Sequence, residues 1–269
     1  MPKIIDTFIF YNELDMLEFR LTELDPVVDT FVLVEATKTF AGKPKPLHFK
    51  ENMDRYNKWK DKIVHVIVDT MPGGNNAWSR EAYQRNSIAK GVQSMNLEDT
   101  DIILIADCDE VPDVDILSGL KTKGLKGAWK LHMDFYYYNL MCKAKISHSR
   151  ARLMDYKTFK TRTPEKHVNT FYPRMNCGWH FSYFGSEDFI INKIQEFSHQ
   201  EFNKPEYKNK EVISQRIKNG NDLFNRDSGV IGAGPHKFTY QTFDPNGYLP
   251  KNWQMLLKIQ NVPEDHKQT

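Results

Sequence analysis

The stretch Asp101-Ile102-Ile103-Leu104-Ile105-Ala106-Asp107-Cys108-Asp109-Glu110-Val111-Pro112 runs an apolar segment straight into three carboxylates within four positions. Five consecutive apolar residues, three of them isoleucine, read as a strand buried on both faces, the kind found in a parallel sheet. Open α/β sheets bind ligands beyond the carboxyl ends of such strands, which delivers Asp107 and Asp109 to a site. Two aspartates at i and i+2 in a turn can face one hard cation together, and such a cation commonly also holds a diphosphate. The same residues fit a plainer arrangement, with Asp109 capping a helix that begins near Val114 and Asp107 only ending a strand.

Upstream, the pattern alternates strand and helix. Lys3 to Tyr11 reads as a strand broken by Asn12 and Glu13, after which Leu14, Leu17, Leu21 and Leu24 mark one helix face. Val27 to Glu35 is a second buried strand, followed by a loop through Pro46. Glu13 and Glu35 thus stand where strands meet their exit loops, as solvated end charges or as ligand contacts. Asn52 to Lys60 reads as a short polar helix and Ile63 to Asp69 as a third strand rich in β-branched residues. Past the loop Met71 to Asn76, a helix is expected from Trp78 to Met95, with Tyr83, Ile88, Val92 and Met95 toward the core. Arg80, Arg85 and Asn86 lie in or near its first turns, where unpaired N–H groups and guanidinium forks suit a phosphate. Ion pairs with Glu81 or Asp99 account for the arginines equally well.

The second half changes character. Ala128 to Leu140 carries Trp129, Phe135, Tyr136, Tyr137 and Tyr138, rings that stack on sugar faces or simply fill a core. Asn176 to Phe184, including Trp179, His180 and Tyr183, reads as a strand with its polar side chains on one face. Ser186 then caps a helix through Phe197 that opens with Glu187 and Asp188, acids that any helix start favours. Beyond His199 come a helix from Lys210 to Lys218 and glycine and proline turns from Gly229 to Pro250.

Length, 269 residues, suits one α/β domain, and 37 basic against 35 acidic residues leave a net charge of +2, so no global field draws in nucleic acid or an anionic membrane. The three cysteines match no zinc spacing and read as free thiols of a reducing compartment. No window approaches 18 apolar residues and the N-terminus lacks signal-peptide order, so a soluble, cytoplasmic protein without a transmembrane segment is expected.

Together, the β-α-β start, the strand-terminal D-x-D, the arginine-asparagine helix before it and the Glu187-Asp188 helix followed by histidine resemble the GT-A fold of nucleotide-sugar glycosyltransferases. More narrowly, Phe10 to Arg20, Phe31 to Gly42, Ala106 to Pro112, Gly178 to Gly185 and Phe197 to Phe202 resemble glycosyltransferase family 17, whose animal members are the bisecting β-1,4-N-acetylglucosaminyltransferases. The resemblance implies an α/β fold with a Rossmann-type nucleotide-sugar-binding sheet over 1–112 and an acceptor-side mixed β and helical part over 113–269. It also implies inverting transfer of N-acetylglucosamine from a UDP-sugar donor to a carbohydrate acceptor with Mn2+ or Mg2+. On that resemblance Asp109 is the direct metal ligand and Asp107 reaches the ribose or the metal, with His199, or else His180, completing the metal shell. UDP would meet Asn12, Glu13 and Glu35, with Arg80, Arg85 and Asn86 toward its diphosphate. Glu187, or Asp188 beside it, would deprotonate the acceptor, and Trp179, His180 and Tyr183 would hold it. The animal enzymes carry a membrane anchor and a longer C-terminal region that these residues do not contain, so their glycoprotein acceptor is not carried over. Two other classes fit parts of the pattern: a metal-dependent phosphohydrolase of nucleotides or nucleotide sugars, and a non-catalytic carbohydrate-binding protein.

Overall fold

The computed structural model describes residues 1–226 and 238–263, so the part of the expected turn region between 229 and 237 lies outside the described residues. Strand β1 (Ile4–Phe10) lies between β2 (Thr30–Ala36) and β4 (Ile102–Asp107), parallel to both, with β3 (Ile63–Val68) parallel on the outer side of β2. Beyond β4 the sheet turns mixed: β8 (Arg152–Asp155) runs antiparallel to it, followed by β6 (Ala128–Tyr137), β7 (Asn139–Ala144) and β10 (Phe238–Tyr240). β9 (Arg174–Ser182) pairs parallel with β6 and antiparallel with the two-residue β5 (Glu110–Val111) that follows the carboxylate turn. The expected α/β architecture, a Rossmann-type parallel half joined to a mixed half, is therefore present.

This topology fixes where the site opens. The chain steps from β1 to β2 and β3 on one side, then returns to β4 on the other, and such a reversal opens a crevice at the strands' carboxyl ends. Register aligns those ends, since Phe10 pairs with Glu35 and Ile9 with Asp107.

Helix α1 (Leu14–Leu24) buries Leu17, Leu21 and Leu24 against this sheet, each contributing about 1.5–3 kcal/mol on full burial. After β2 the chain forms one helical turn, α2 (His48–Glu51), and then a 3-10 helix, Met53–Trp59, in place of the expected polar helix. Its inward-facing Tyr56 and Trp59 and the non-helical Tyr56 (φ −108°) break α geometry there.

The long helix expected from Trp78 to Met95 is split at Ser87 into α3 (Ala77–Asn86) and α4 (Ile88–Gln93). The Ser87 hydroxyl donates back to the Tyr83 carbonyl at 3.0 Å, a bond that bends helices. Tyr83 is 39% exposed rather than in the core, whereas the polar Arg80, Glu81, Gln84 and Arg85 face inward. α5 (Val114–Lys123) is capped by Asp113, whose Oδ1 accepts from the Asp115 amide at 2.8 Å, so Asp109 is not spent as a cap.

Short helices α6 (Tyr156–Phe159) and α7 (Pro164–Val168) precede β9, after which α8 (Glu187–Glu196) is capped by Ser186 as expected, and α9 (Lys210–Asn219) packs beside it. The three cysteines are buried free thiols. Among the described residues no helix is long and apolar enough to cross a membrane.

Gly178 allows β9 to pass the carboxylate turn, because its φ is +87° and a Cβ there would stand 2.2 Å from the Val111 carbonyl oxygen. Gly178→Ala is expected to destabilise the fold by about 1–3 kcal/mol from crowding and backbone strain. Urea unfolding measures this, and an unchanged midpoint would contradict it.

Candidate active site

The carboxylate turn is held from beneath by a buried ion pair. Asp6, in the middle of β1, accepts from Arg20 of α1 at 2.8 and 2.6 Å, and both side chains are fully buried. The remaining Arg20 nitrogen donates to the carbonyls of Asp107, Cys108 and Glu110 at 3.1, 3.2 and 2.6 Å. Glu110 closes the turn from the side, accepting from the Asp107 amide at 2.8 Å while His148 lies 2.7 Å from its other oxygen. With the backbone pinned in this way, Asp107 and Asp109 project into a cavity of about 350 Å³.

Each aspartate meets a cation there. Arg85 donates to Asp107 Oδ1 at 2.7 Å and also reaches Glu81 at 2.8 Å and Glu165 at 3.0 Å. Lys193 of α8 lies 3.0 Å from Asp109 Oδ2, and His180 Nε2 lies 3.4 Å from Oδ1. Burial alone would raise both carboxyls, yet Arg85 and Arg150 hold Asp107, and Lys193 and His180 hold Asp109, below the ordinary carboxylate range. The Lys193 ammonium, which burial alone would weaken, is kept above its ordinary value chiefly by Asp109. Both carboxylates therefore stay ionised, with fixed cations beside them.

A second cavity of about 340 Å³ adjoins the first, and Glu13, Asp109, Tyr183 and Lys193 line both. Among the described residues, five carboxylates face the larger cavity. Glu81, Asp107, Asp109 and Glu196 are ion-paired. Glu13 instead accepts only the Tyr11 and Asn12 amides on Oε2, among the described residues.

Residues 1–243 match Glycosyltransferase family 17. The chain belongs to this family. The β-1,4-mannosyl-glycoprotein 4-β-N-acetylglucosaminyltransferases of Rattus norvegicus and Homo sapiens are each 31% identical to it over 148 residues, 52% of this chain and 28% of theirs. The chain thus spans little more than a quarter of the length of these relatives. A mannosyltransferase from Pyrobaculum calidifontis, solved with GDP-Man and Mn2+, superposes on 87% of this chain and 66% of its own at 13% identity and a TM-score of 0.42.

Of the side chains singled out in this family 17 sequence, the fold gathers Glu13, Arg85, Asp107, Asp109, His180, Tyr183 and His199 around the larger cavity. Asn12 lines the second one and donates to Asn192 at 3.1 Å. The others are placed elsewhere. Glu35 is fully buried, accepting the Phe49 amide at 2.9 Å with His65 at 3.1 Å, and so ties β2 to α2 and β3. Arg80 donates to the Phe40 and Gly74 carbonyls at 2.7 and 2.6 Å, pinning two loops instead of facing a diphosphate. Asn86 accepts the Glu165 amide at 3.0 Å. Trp179 points into the core because alternation along β9 sends His180 and Ser182 to the cavity and Trp179 and Phe181 away from it.

Glu187 accepts from the Ser214 hydroxyl at 3.0 Å and lines a third cavity with Gln260 and Asn261, which adjoins the second one at Gly185, Ser186, Lys258 and Ile259, while Asp188 is exposed and pairs with Lys210. His199 packs edge-on against Trp78 and lies 2.6 Å from Glu201 Oε1. Among the described residues no three His, Cys, Asp or Glu side chains form a preformed metal cage, so His199 does not join the two aspartates in one. Asp107, one-third exposed with Oδ2 outside its arginine bond, and Asp109 still suit a hard divalent cation, because Mg2+-type sites use one or two carboxylates and complete the shell with substrate phosphate and water. Lys193, Arg150, His148 and the Asp6–Arg20 pair were not singled out by sequence reading, whereas Glu81, named there as an ion-pair partner for the arginines, does pair with Arg85. For Arg20, beside Leu17 and Leu21, and Lys193, beside Ile190 and Ile194, the signal is a charge set inside an apolar stripe, and His148 and Arg150 in their polar loop carry no such signal.

Arg20→Met is expected to cost about 3–5 kcal/mol, since it leaves Asp6 buried without its cation. Adding Asp6→Leu should restore much of the loss. Guanidinium unfolding of the single and double variants checks this, and a double variant no more stable than Arg20→Met would refute the pairing argument.

Proposed function

We propose that this protein is an inverting glycosyltransferase that moves N-acetylglucosamine from UDP-N-acetylglucosamine to a glycan hydroxyl. The observation that supports this is the pairing, at the exit of β4, of Asp107 with Arg85 and of Asp109 with Lys193 in a partly buried cavity at the strand-order reversal. Departure of a nucleoside diphosphate concentrates negative charge on its phosphates, and cations already fixed in a partly dry site stabilise that charge without reorganising during the reaction. The relatives' names favour N-acetylglucosamine as the sugar, and family membership favours transfer over the hydrolase and binding-module alternatives. Asp107 and Asp109 would hold Mn2+ or Mg2+, which when bound supplies further charge neutralisation to the leaving diphosphate.

In this reading the larger cavity takes the donor, the second cavity takes the acceptor, and the shared residues form the wall where sugar and hydroxyl meet. Inverting transfer needs a base that removes the acceptor proton as the hydroxyl attacks. A carboxylate already ion-paired is a poor base, and among the described residues Glu13 on this wall forms no ion pair and accepts only the Tyr11 and Asn12 amides. Glu13 is therefore assigned the base role that sequence resemblance gave to Glu187.

Incubation with UDP-N-acetylglucosamine, Mn2+ and a glycan acceptor should release UDP and extend the glycan. Release of inorganic phosphate without an extended glycan would favour the phosphohydrolase, and an intact donor would favour the binding module. Glu13→Gln should lower kcat by about two to four orders of magnitude while Glu187→Gln stays within about threefold of wild type. The reverse ranking at saturating substrates would return the role to Glu187. Asp109→Asn should keep the fold and weaken UDP binding at limiting Mn2+, and unchanged affinity there would remove Asp109 from the metal.

A further inference from the structure

Glu196 occupies an electrostatically unfavourable place for a residue with no ligand to meet. It is the last residue of α8, where the helix dipole presents its negative end to the carboxylate. The side chain is 9% exposed, and among the described residues its one ion-pair partner is Lys43, at 2.6 Å on Oε1, whose own side chain is 59% exposed. The second oxygen, Oε2, is buried and accepts no hydrogen bond among the described residues. A buried carboxylate oxygen without a donor carries an uncompensated desolvation cost, and natural proteins keep few such atoms.

The surroundings indicate what would supply the missing donor. Glu196 lines the cavity that contains Asp107 and Asp109 but not the second cavity. It stands three residues past Lys193, about one turn along the same face of α8, and hence one turn from the ammonium that meets Asp109. Its neighbours belong to the exits of the first two strands. Tyr11 follows β1, and its phenol is raised by burial and in part by the Glu196 charge, while Lys43 lies in the loop after β2. Diphosphate charge belongs at the Arg85 and Lys193 end, so a ligand extending from there past Tyr11 presents its nucleoside to Glu196.

We infer that Glu196 reads the nucleoside half of the donor, with Oε2 accepting a hydrogen bond from an N–H of the base or an O–H of the ribose. The inference rests on the assignment of this cavity to a nucleotide sugar. Acidic side chains at strand exits of α/β sheets recognise ribose hydroxyls in this way, and a pyrimidine imide offers an equivalent donor. Satisfying a carboxylate oxygen that is already buried and held in place gains the hydrogen bond without a new desolvation cost, so the contact discriminates strongly against ligands lacking the donor.

Calorimetry with UDP, pyrophosphate, 2′-deoxy-UDP and N3-methyl-UDP on wild type, Glu196→Gln and Glu196→Met tests it. Glu196→Met should weaken UDP binding by about tenfold or more, with Glu196→Gln intermediate, while pyrophosphate affinity stays unchanged. One of the two analogues should bind wild type and Glu196→Met equally, and which one does so separates the ribose hydroxyl from the base N–H. The melting temperature of ligand-free Glu196→Met should be unchanged or higher, whereas a purely structural Lys43 pair would make it lower. UDP binding by Glu196→Met at wild-type strength overturns the inference alone. Failure of wild type to bind UDP at all overturns the assignment of the cavity, and the inference with it.

Discussion

The buried pair of Asp6 and Arg20 is the constraint on which the rest of the site depends. A carboxylate in the middle of a central strand and a guanidinium on the core face of the first helix are both fully buried, and neither is tolerable without the other. The fork of the arginine satisfies Asp6 with two nitrogens and spends a third on the carbonyls of the carboxylate turn. Its guanidinium also lies 4.8 Å from the Phe8 ring centroid, so the apolar surface beside it is used as well. One side chain thereby ties the first strand, the first helix and the end of the fourth strand together. The turn that presents Asp107 and Asp109 is consequently part of the core and not a free loop.

From that clamp a network of charged and polar side chains spreads outward. Glu110 binds back to the turn and meets His148; Asp109 meets Lys193 and His180; Asp107 meets Arg85, which continues to Glu81 and Glu165. Arg150 joins at Glu81. The contributors come from α3, α7, α8, β9 and the loop before β8, so the network draws the parallel and mixed halves of the sheet to one place. The His148 and His180 rings are 3.9 Å apart, and His180 stacks on Phe135 at 4.8 Å with an interplanar angle of 8°. Burial and the neighbouring His180 both hold His148 below its ordinary value. A site of this kind carries ionised groups of both signs at fixed positions, which suits an anionic ligand whose charge grows during a reaction.

The parallel half of the fold was legible because its strands are continuous apolar runs and its first helix has a leucine stripe, and these patterns follow from burial alone. The Ser186 cap and the strand-end position of Asp107 and Asp109 were legible for a similar reason: each depends on a few adjacent residues. Reading failed where a neighbour in space decided the outcome. Along α3, Tyr83 faces solvent while Arg85 faces Asp107. Arg80, one turn before Arg85 on that helix, was taken up by the Phe40 and Gly74 carbonyls. Glu187 and Asp188, attractive as helix-start acids beside an aromatic strand, lie on the side of α8 that meets Ser214 and Lys210, whereas Lys193 and Glu196 on its other side reach the cavity.

The sequence by itself determined the strand order's raw material, the place where the carboxylates emerge and the family to which they belong, because local periodicity and adjacent motifs carry that information. Only the tertiary structure decided which distant charges meet those carboxylates. Arg20, Arg85, Lys193 and Glu196 are separated along the chain and look alike in composition. Their roles follow from which buried partner each must find, since an ionised side chain removed from water is stable only where another part of the chain supplies its counter-charge or hydrogen bond.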